Sequence, residues 1–135
     1  MARMVLDSWE LLAFFEDEPA AEMVETILLE AENGKHHLLL SSLDWCEIYA
    51  SIMSRVSQQA AEEKIRQIAE LPVELVAVGD DLAVLRQAAI HRATHKLASS
   101  CAVAGALAKA RKATLVTGDP AFRVLEDQFK IQWLA

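Results

Sequence analysis

Two aspartates stand where a short apolar run gives way to a helix. Arg3-Met4-Val5-Leu6 runs into Asp7-Ser8, and Thr114-Leu115-Val116-Thr117 runs into Gly118-Asp119-Pro120. Apolar, β-branched runs of this length suit buried strands. Gly118 allows a sharp turn, and Pro120 suits the first turn of a new helix. In open parallel α/β sheets, sites form beyond the carboxyl ends of the strands. If these two strands lie side by side, Asp7 and Asp119 point into one cleft. Glu47 lies one turn into a helix after another candidate strand, and Cys101 lies in the first turn of an alanine-rich helix. In a doubly wound sheet such places gather at one edge. Carboxylates converging there would bind a hard divalent cation such as Mg²⁺. Such an ion acidifies water and neutralises charge on a phosphodiester.

Plainer roles compete at each position. Asp7 can be an N-cap, and Asp7-Ser8-Trp9-Glu10 has capping-box spacing. Asp119 before Pro120 can cap too. A glutamate such as Glu47 is most often a solvated surface residue, and Asp44 has capping-box spacing with Ser41.

The elements that must position these residues alternate along the chain. Met4–Leu6 is the first candidate strand, followed by a short helix over Trp9–Phe15. After the polar break Glu16-Asp17-Glu18, Pro19 starts a helix running to about Asn33, which Asn33-Gly34 ends. His37–Leu40 is the next strand, and Ser41-Ser42 caps a helix over Leu43–Val56. Gln58–Glu70 is amphipathic, Pro72 closes it, and Val73–Val78 is a third strand. Asp80 is expected to cap the helix Asp81–His95, with Leu82, Leu85, Ala89 and Ala93 as its apolar face. Ser99 or Ser100 is expected to cap the alanine-rich helix to Lys112. The strand to Thr117, a helix from Pro120 and a last strand near Ile131–Leu134 complete the chain. Strand–helix alternation predicts a single α/β domain over 1–135. Its sheet would be parallel-dominated, of about four to five strands, with helices on both faces.

The 135 residues suit one core, and 53% hydrophobic content argues against disorder. A net charge of −7 argues against nonspecific coating of nucleic acid, though not against an enzyme with a local basic rim. Cys46 and Cys101 lack metal-finger spacing, and with no secretory signal the expectation is a reduced, cytoplasmic protein. No apolar run approaches membrane-spanning length.

Four longer stretches carry a family likeness: MVLDSWELLAFF (4–15), LLLSSLDWCEIYASI (38–52), LPVELVAVGDDLAVL (71–85) and LASSCAVAGALAKARKATLVTGDPAF (97–122). The terminal IQWL (131–134) fits as well. In order and spacing they resemble the PIN domain family, in particular the VapC-type toxin ribonucleases of toxin–antitoxin pairs. The resemblance implies a PIN-like fold. It puts the family's first acid on Asp7, its helical glutamate on Glu47 and its last acid on Asp119, with Thr117 on the hydroxyl residue before it. These acids would hold Mg²⁺ (or Mn²⁺), and Thr117 would order Asp119. It further implies endoribonuclease activity on RNA, often tRNA or rRNA, a cognate antitoxin that inserts a segment into the cleft, and a homodimer.

Two departures stand out. Trp9 occupies a place where a small residue is usual. The family pattern L-S-x-A-D-A reads here Leu97-Ala98-Ser99-Ser100-Cys101-Ala102, so Cys101 stands at the position of a missing acid. A neutral thiol is a poor Mg²⁺ ligand. A helix N-terminus can lower a thiol's pKa, and a Cys101 thiolate would favour a softer ion such as Zn²⁺; otherwise Cys101 is a small, fairly apolar residue in a weakened site. The alternative function is therefore an impaired PIN-fold binding module that keeps its dimer and antitoxin surfaces.

Other candidates are weaker. Arg86, Arg92, Lys96 and Arg123 could line a phosphate path but are expected to be solvated. His91 and His95 have a metal-compatible spacing without a third ligand nearby. Trp9, Trp45 and Trp133 suit packing anchors better than base-stacking platforms.

Overall fold

The computed structural model describes residues 2–134. Its strands are β1 (Ala2–Leu6), β2 (His36–Ser41), β3 (Val73–Val76), β4 (Thr114–Thr117) and β5 (Ile131–Trp133). The helices are α1 (Ser8–Phe15), α2 (Ala21–Glu32), α3 (Ser42–Arg55), α4 (Gln58–Glu70), α5 (Leu82–His95) and α6 (Ser99–Arg111). The helix expected from Pro120 is a 3-10 helix, Pro120–Leu125.

All five strands run parallel, in the order β3-β2-β1-β4-β5. Each strand is buried on both faces, so its apolar residues run consecutively and alternate sides. Val5, Leu39 and Leu115 pack into a core with α5, α6, Phe122 and Leu125. Met4, Leu6, Leu38, Leu40 and Val116 pack on the other face with Leu11, Val24, Ile27, Ile48, Ile52 and Ile68 from α1 to α4. Each such side chain, fully buried, contributes roughly 1.5–3 kcal/mol of transfer free energy.

Alanine-rich α6 lies deepest among the helices, with Ala102, Ala104, Ala106, Leu107 and Ala108 at 0% exposure. Small side chains let it sit against the sheet while α5 covers it, which fixes the helix that carries Cys101.

Strand order reverses between β1 and β4. The chain winds outward from β1 through β2 to β3, then returns to the other side of β1. That reversal opens a crevice at the strands' carboxyl ends. Leu6 pairs with Val116, so Asp7 follows directly opposite Thr117.

Several local expectations change. Asp81, not Asp80, caps α5, its carboxylate accepting the Val84 N–H at 3.2 Å. The buried stripe of α5 is Val84, Ala88 and His91, while Leu82 is 69% exposed. The cap position of α6 is Ala98, without a side-chain bond, rather than Ser99 or Ser100. Gly34 does end α2 with a left-handed φ of +83°, as a C′ glycine should. Gly118 serves a different purpose from the expected turn, because its φ is ordinary. A Cβ there would overlap Cη2, Cζ2 and Cζ3 of Trp9, so the glycine makes room for the indole.

Candidate active site

Asp7 is 2% exposed at the mouth of the β1–β4 crevice. Its Oδ2 accepts the Thr117 hydroxyl at 3.1 Å, and Thr117 Oγ1 accepts the Asp119 N–H at 3.0 Å. One buried hydroxyl therefore joins the two acid-bearing junctions. Thr117 orders Asp119 through its backbone and gives its own proton to Asp7. Asp119 is half-buried, and its Oδ1 accepts the Ala121 N–H at 2.9 Å as the cap of the 3-10 helix.

Asp44 completes the acidic edge. At 1% exposure, it accepts the Ser8 N–H on Oδ1 at 3.1 Å and the Ser41 hydroxyl on Oδ2 at 3.1 Å. Ser41 in turn accepts the Asp44 N–H at 3.1 Å. The expected capping exchange is present, and Asp44 also ties the residue after Asp7 to the end of β2. Glu10 lies beneath, at 0% exposure, with Oε1 accepting the Asp7 N–H at 2.6 Å. Capping spacing marked Glu10 and Asp44 in the sequence, but their burial beside Asp7 needed the strand order.

The electrostatics follow from crowding acids away from water. Burial raises the Asp7 pKa, and the Asp119 charge adds to it. Burial, then Asp7, pushes Glu10 and Asp44 well above the ordinary carboxylate range. Among the described residues, no ion pair involves Asp7, Glu10, Asp44 or Asp119. Cys101 is half-buried with Sγ 3.8 Å from Asp119 Oδ2. Burial, then Asp119 and Asp7, pushes its thiol up to about 12. The helix N-terminus does not win, and Cys101 is a neutral donor to Asp119. That removes the thiolate route to a softer metal.

Glu47 sits apart from this group. It is exposed on α3, one turn after Asp44, where its charge is felt. Arg86, Arg92 and Lys96 are exposed; Arg123 lies over the Trp133 ring, 5.1 Å from its centroid. His91 is a buried core residue, 3.4 Å from Gln87 Nε2. Trp45 stacks on Tyr49. Trp9, which covers Gly118, also lines a groove of about 700 Å³ with Leu12, Pro19, Met23, Arg55 and Leu134.

What the site could hold follows from its donors. Asp7 Oδ1 is buried without a hydrogen-bond partner. It is a hard oxygen in an uncompensated negative field. Among the described residues, no three Asp, Glu, His or Cys side chains form a ready metal cage. Mg²⁺ does not need one, since it keeps several waters and uses one or two protein carboxylates. The donor set fits such an ion.

The PIN domain family model matches residues 4–128, and the chain belongs to that family. Solved structures agree on the fold. A DNA-bound VapBC from Salmonella typhimurium is 12% identical, with 100% of each chain covered and a TM-score of 0.73. VapBC-1 from nontypeable Haemophilus influenzae is 16% identical, with 98% of each chain covered and a TM-score of 0.72. PAE2754 from Pyrobaculum aerophilum is 17% identical, covering 98% of this chain and 91% of its own, with a TM-score of 0.67. No curated protein matches the sequence. No described helix is long and apolar enough to cross a membrane.

Proposed function

We propose that this protein is a divalent-metal-dependent endoribonuclease, the toxin of a toxin–antitoxin pair, acting in the cytoplasm as a homodimer. The observation that carries this reading is the junction of Asp7 and Asp119 at the sheet's reversal, joined by Thr117 and lacking any basic partner.

Asp7, through its free Oδ1, and Asp119 would hold Mg²⁺ or Mn²⁺, with Glu47 on α3 as the third acid. When bound, the ion supplies charge neutralisation at the scissile phosphodiester and acidifies water for attack. Thr117 keeps Asp7 Oδ1 free by engaging the other oxygen, and it fixes the Asp119 backbone. Asp44 anchors the Ser8 N–H and so holds the start of α1. Cys101 shares Asp119 Oδ2 with any ligand, and its neutral thiol adds no charge where the family has an acid. Activity should therefore be weak.

The apolar groove beside Trp9 supports the antitoxin part of the reading. Glu18 lines one side, and Glu16 is paired with Arg55, so a partly basic apolar segment would suit it. Exposed Leu82 and Ile90 on α5 supply apolar surface for a second copy. The Cys101–Asp119 contact also favours a second reading, a binding module that no longer cleaves.

One experiment separates the two readings. Purified protein is incubated with RNA in Mn²⁺ or EDTA. The expected result is slow, Mn²⁺-dependent cleavage that Cys101→Asp raises about tenfold, the scale of adding one group around a metal. Asp7→Asn should abolish it. A silent wild type with an active Cys101→Asp variant selects the binding module. Unchanged cleavage and metal affinity in Cys101→Asp would remove Cys101 from the site.

A further inference from the structure

Glu10 is the one fully buried carboxyl that the mechanism above leaves unused. Its capping role needs a single acceptor oxygen, and Oε1 meets it by taking the Asp7 N–H at 2.6 Å. Glutamine would do that work equally well without a second acidic oxygen. Oε2 is surplus to the cap, and it is buried without a hydrogen-bond partner. Asp7 Oδ1 shares that condition, and the two carboxyl groups lie within hydrogen-bonding reach of each other.

Buried polar atoms left bare are costly and uncommon. Here two occur on acids that touch, three positions apart at the start of α1. No Lys, Arg or His among the described residues makes an ion pair with either acid. Carboxylates in contact need something positive between them. Both free atoms are hard oxygens, which select Mg²⁺ or Mn²⁺ over a softer ion. On the other side of the site, Cys101 contributes a thiol where an acid would add charge.

We propose that Glu10 is a further ligand of the divalent cation bound at Asp7, its Oε2 joining Asp7 Oδ1 and making up for the acid absent at Cys101. The proposal rests on the reading that Asp7 binds such a cation. It moves part of the ligand set from α6 to α1, so that two ligands come from one strand–helix junction.

Glu10→Gln keeps the acceptor for the Asp7 N–H and removes only the acid. Mn²⁺ binding by calorimetry, and unfolding midpoints with Mn²⁺ or EDTA, are compared for wild type, Glu10→Gln and Asp7→Asn. Expected for Glu10→Gln is an Mn²⁺ affinity lower by about tenfold or more, with no fall in the EDTA midpoint. Affinity equal to wild type overturns the proposal, as does a lowered EDTA midpoint with the Mn²⁺ increment intact. If Asp7→Asn also binds Mn²⁺ like wild type, the reading of Asp7 itself fails. The wild type gives a second measurement that needs no variant. The Glu10 carboxyl carbon resonance should shift during Mg²⁺ titration with the same midpoint as that of Asp7; a stationary Glu10 signal overturns the proposal.

Discussion

Cys101 is the residue on which sequence and surroundings pull hardest in opposite directions. The first turn of a helix favours a thiolate, but carboxylates and burial outweigh it and push the thiol up to about 12. A sequence displays the helix start; it does not display which acids the fold brings to that start from 94 and 18 residues away, the intervals from Cys101 back to Asp7 and on to Asp119. The two cysteines should therefore react differently. Treated with iodoacetamide at neutral to mildly alkaline pH, exposed Cys46 is labelled and Cys101 is spared, as peptide mass mapping would show. Equal labelling of both would contradict the buried acidic surroundings assigned to Cys101. Asp7, Asp119 and Thr117 were legible because each sits at a strand end. Glu10 and Asp44 were visible as capping residues, but a capping acid on the surface and one buried beside another acid share the same spacing.

At the scale of elements, the strands and most helices followed from period and punctuation. Gln58–Glu70 was expected to be helical and is so to the residue, because Ser57 caps it and Pro72 closes it. The errors cluster where two adjacent residues could do the same work. Asp80 and Asp81 are both competent caps, and the choice depends on which face of α5 meets α6. Val84 and Ala88 face inward, which makes Asp81 the cap and exposes Leu82. Asp81→Ala should cost about 1 kcal/mol, the usual worth of such a cap, whereas Asp80→Ala should cost close to nothing. Urea unfolding of both variants checks this, and a larger loss for Asp80→Ala would reverse the assignment. Gly118 is a related case. Its place was evident, but its purpose depends on an indole from the far end of the chain.

For the whole molecule, alternation of strands and helices dictated a parallel sheet covered on both faces. It did not dictate strand order, which arises from how the crossovers pack. That order confines the negative charge to one edge and determines how stability responds to pH. Asp7, Glu10 and Asp44 have folded-state pKa values raised above the ordinary 3.8 to 4.5. Above that range the folded protein holds more protons than the unfolded chain, so stability falls as pH rises through the raised values. In EDTA, the unfolding midpoint should decline from pH near 4 toward neutrality by this contribution, and Asp44→Asn should flatten the decline. Saturating Mn²⁺ should raise the midpoint most at the upper end, where the acids are ionised and bind it best. A midpoint that climbs steadily with pH in EDTA would contradict the raised acids.

Thr117 bonds Asp7 across 110 positions of chain, and α6 must be in place before β4 can pair with β1. During synthesis, the ribosome therefore releases a polypeptide whose cutting edge is incomplete until almost all of it has been made. For a protein proposed to destroy RNA, the topology itself delays the hazard. A partner waiting for the finished surface has the whole of translation in which to arrive.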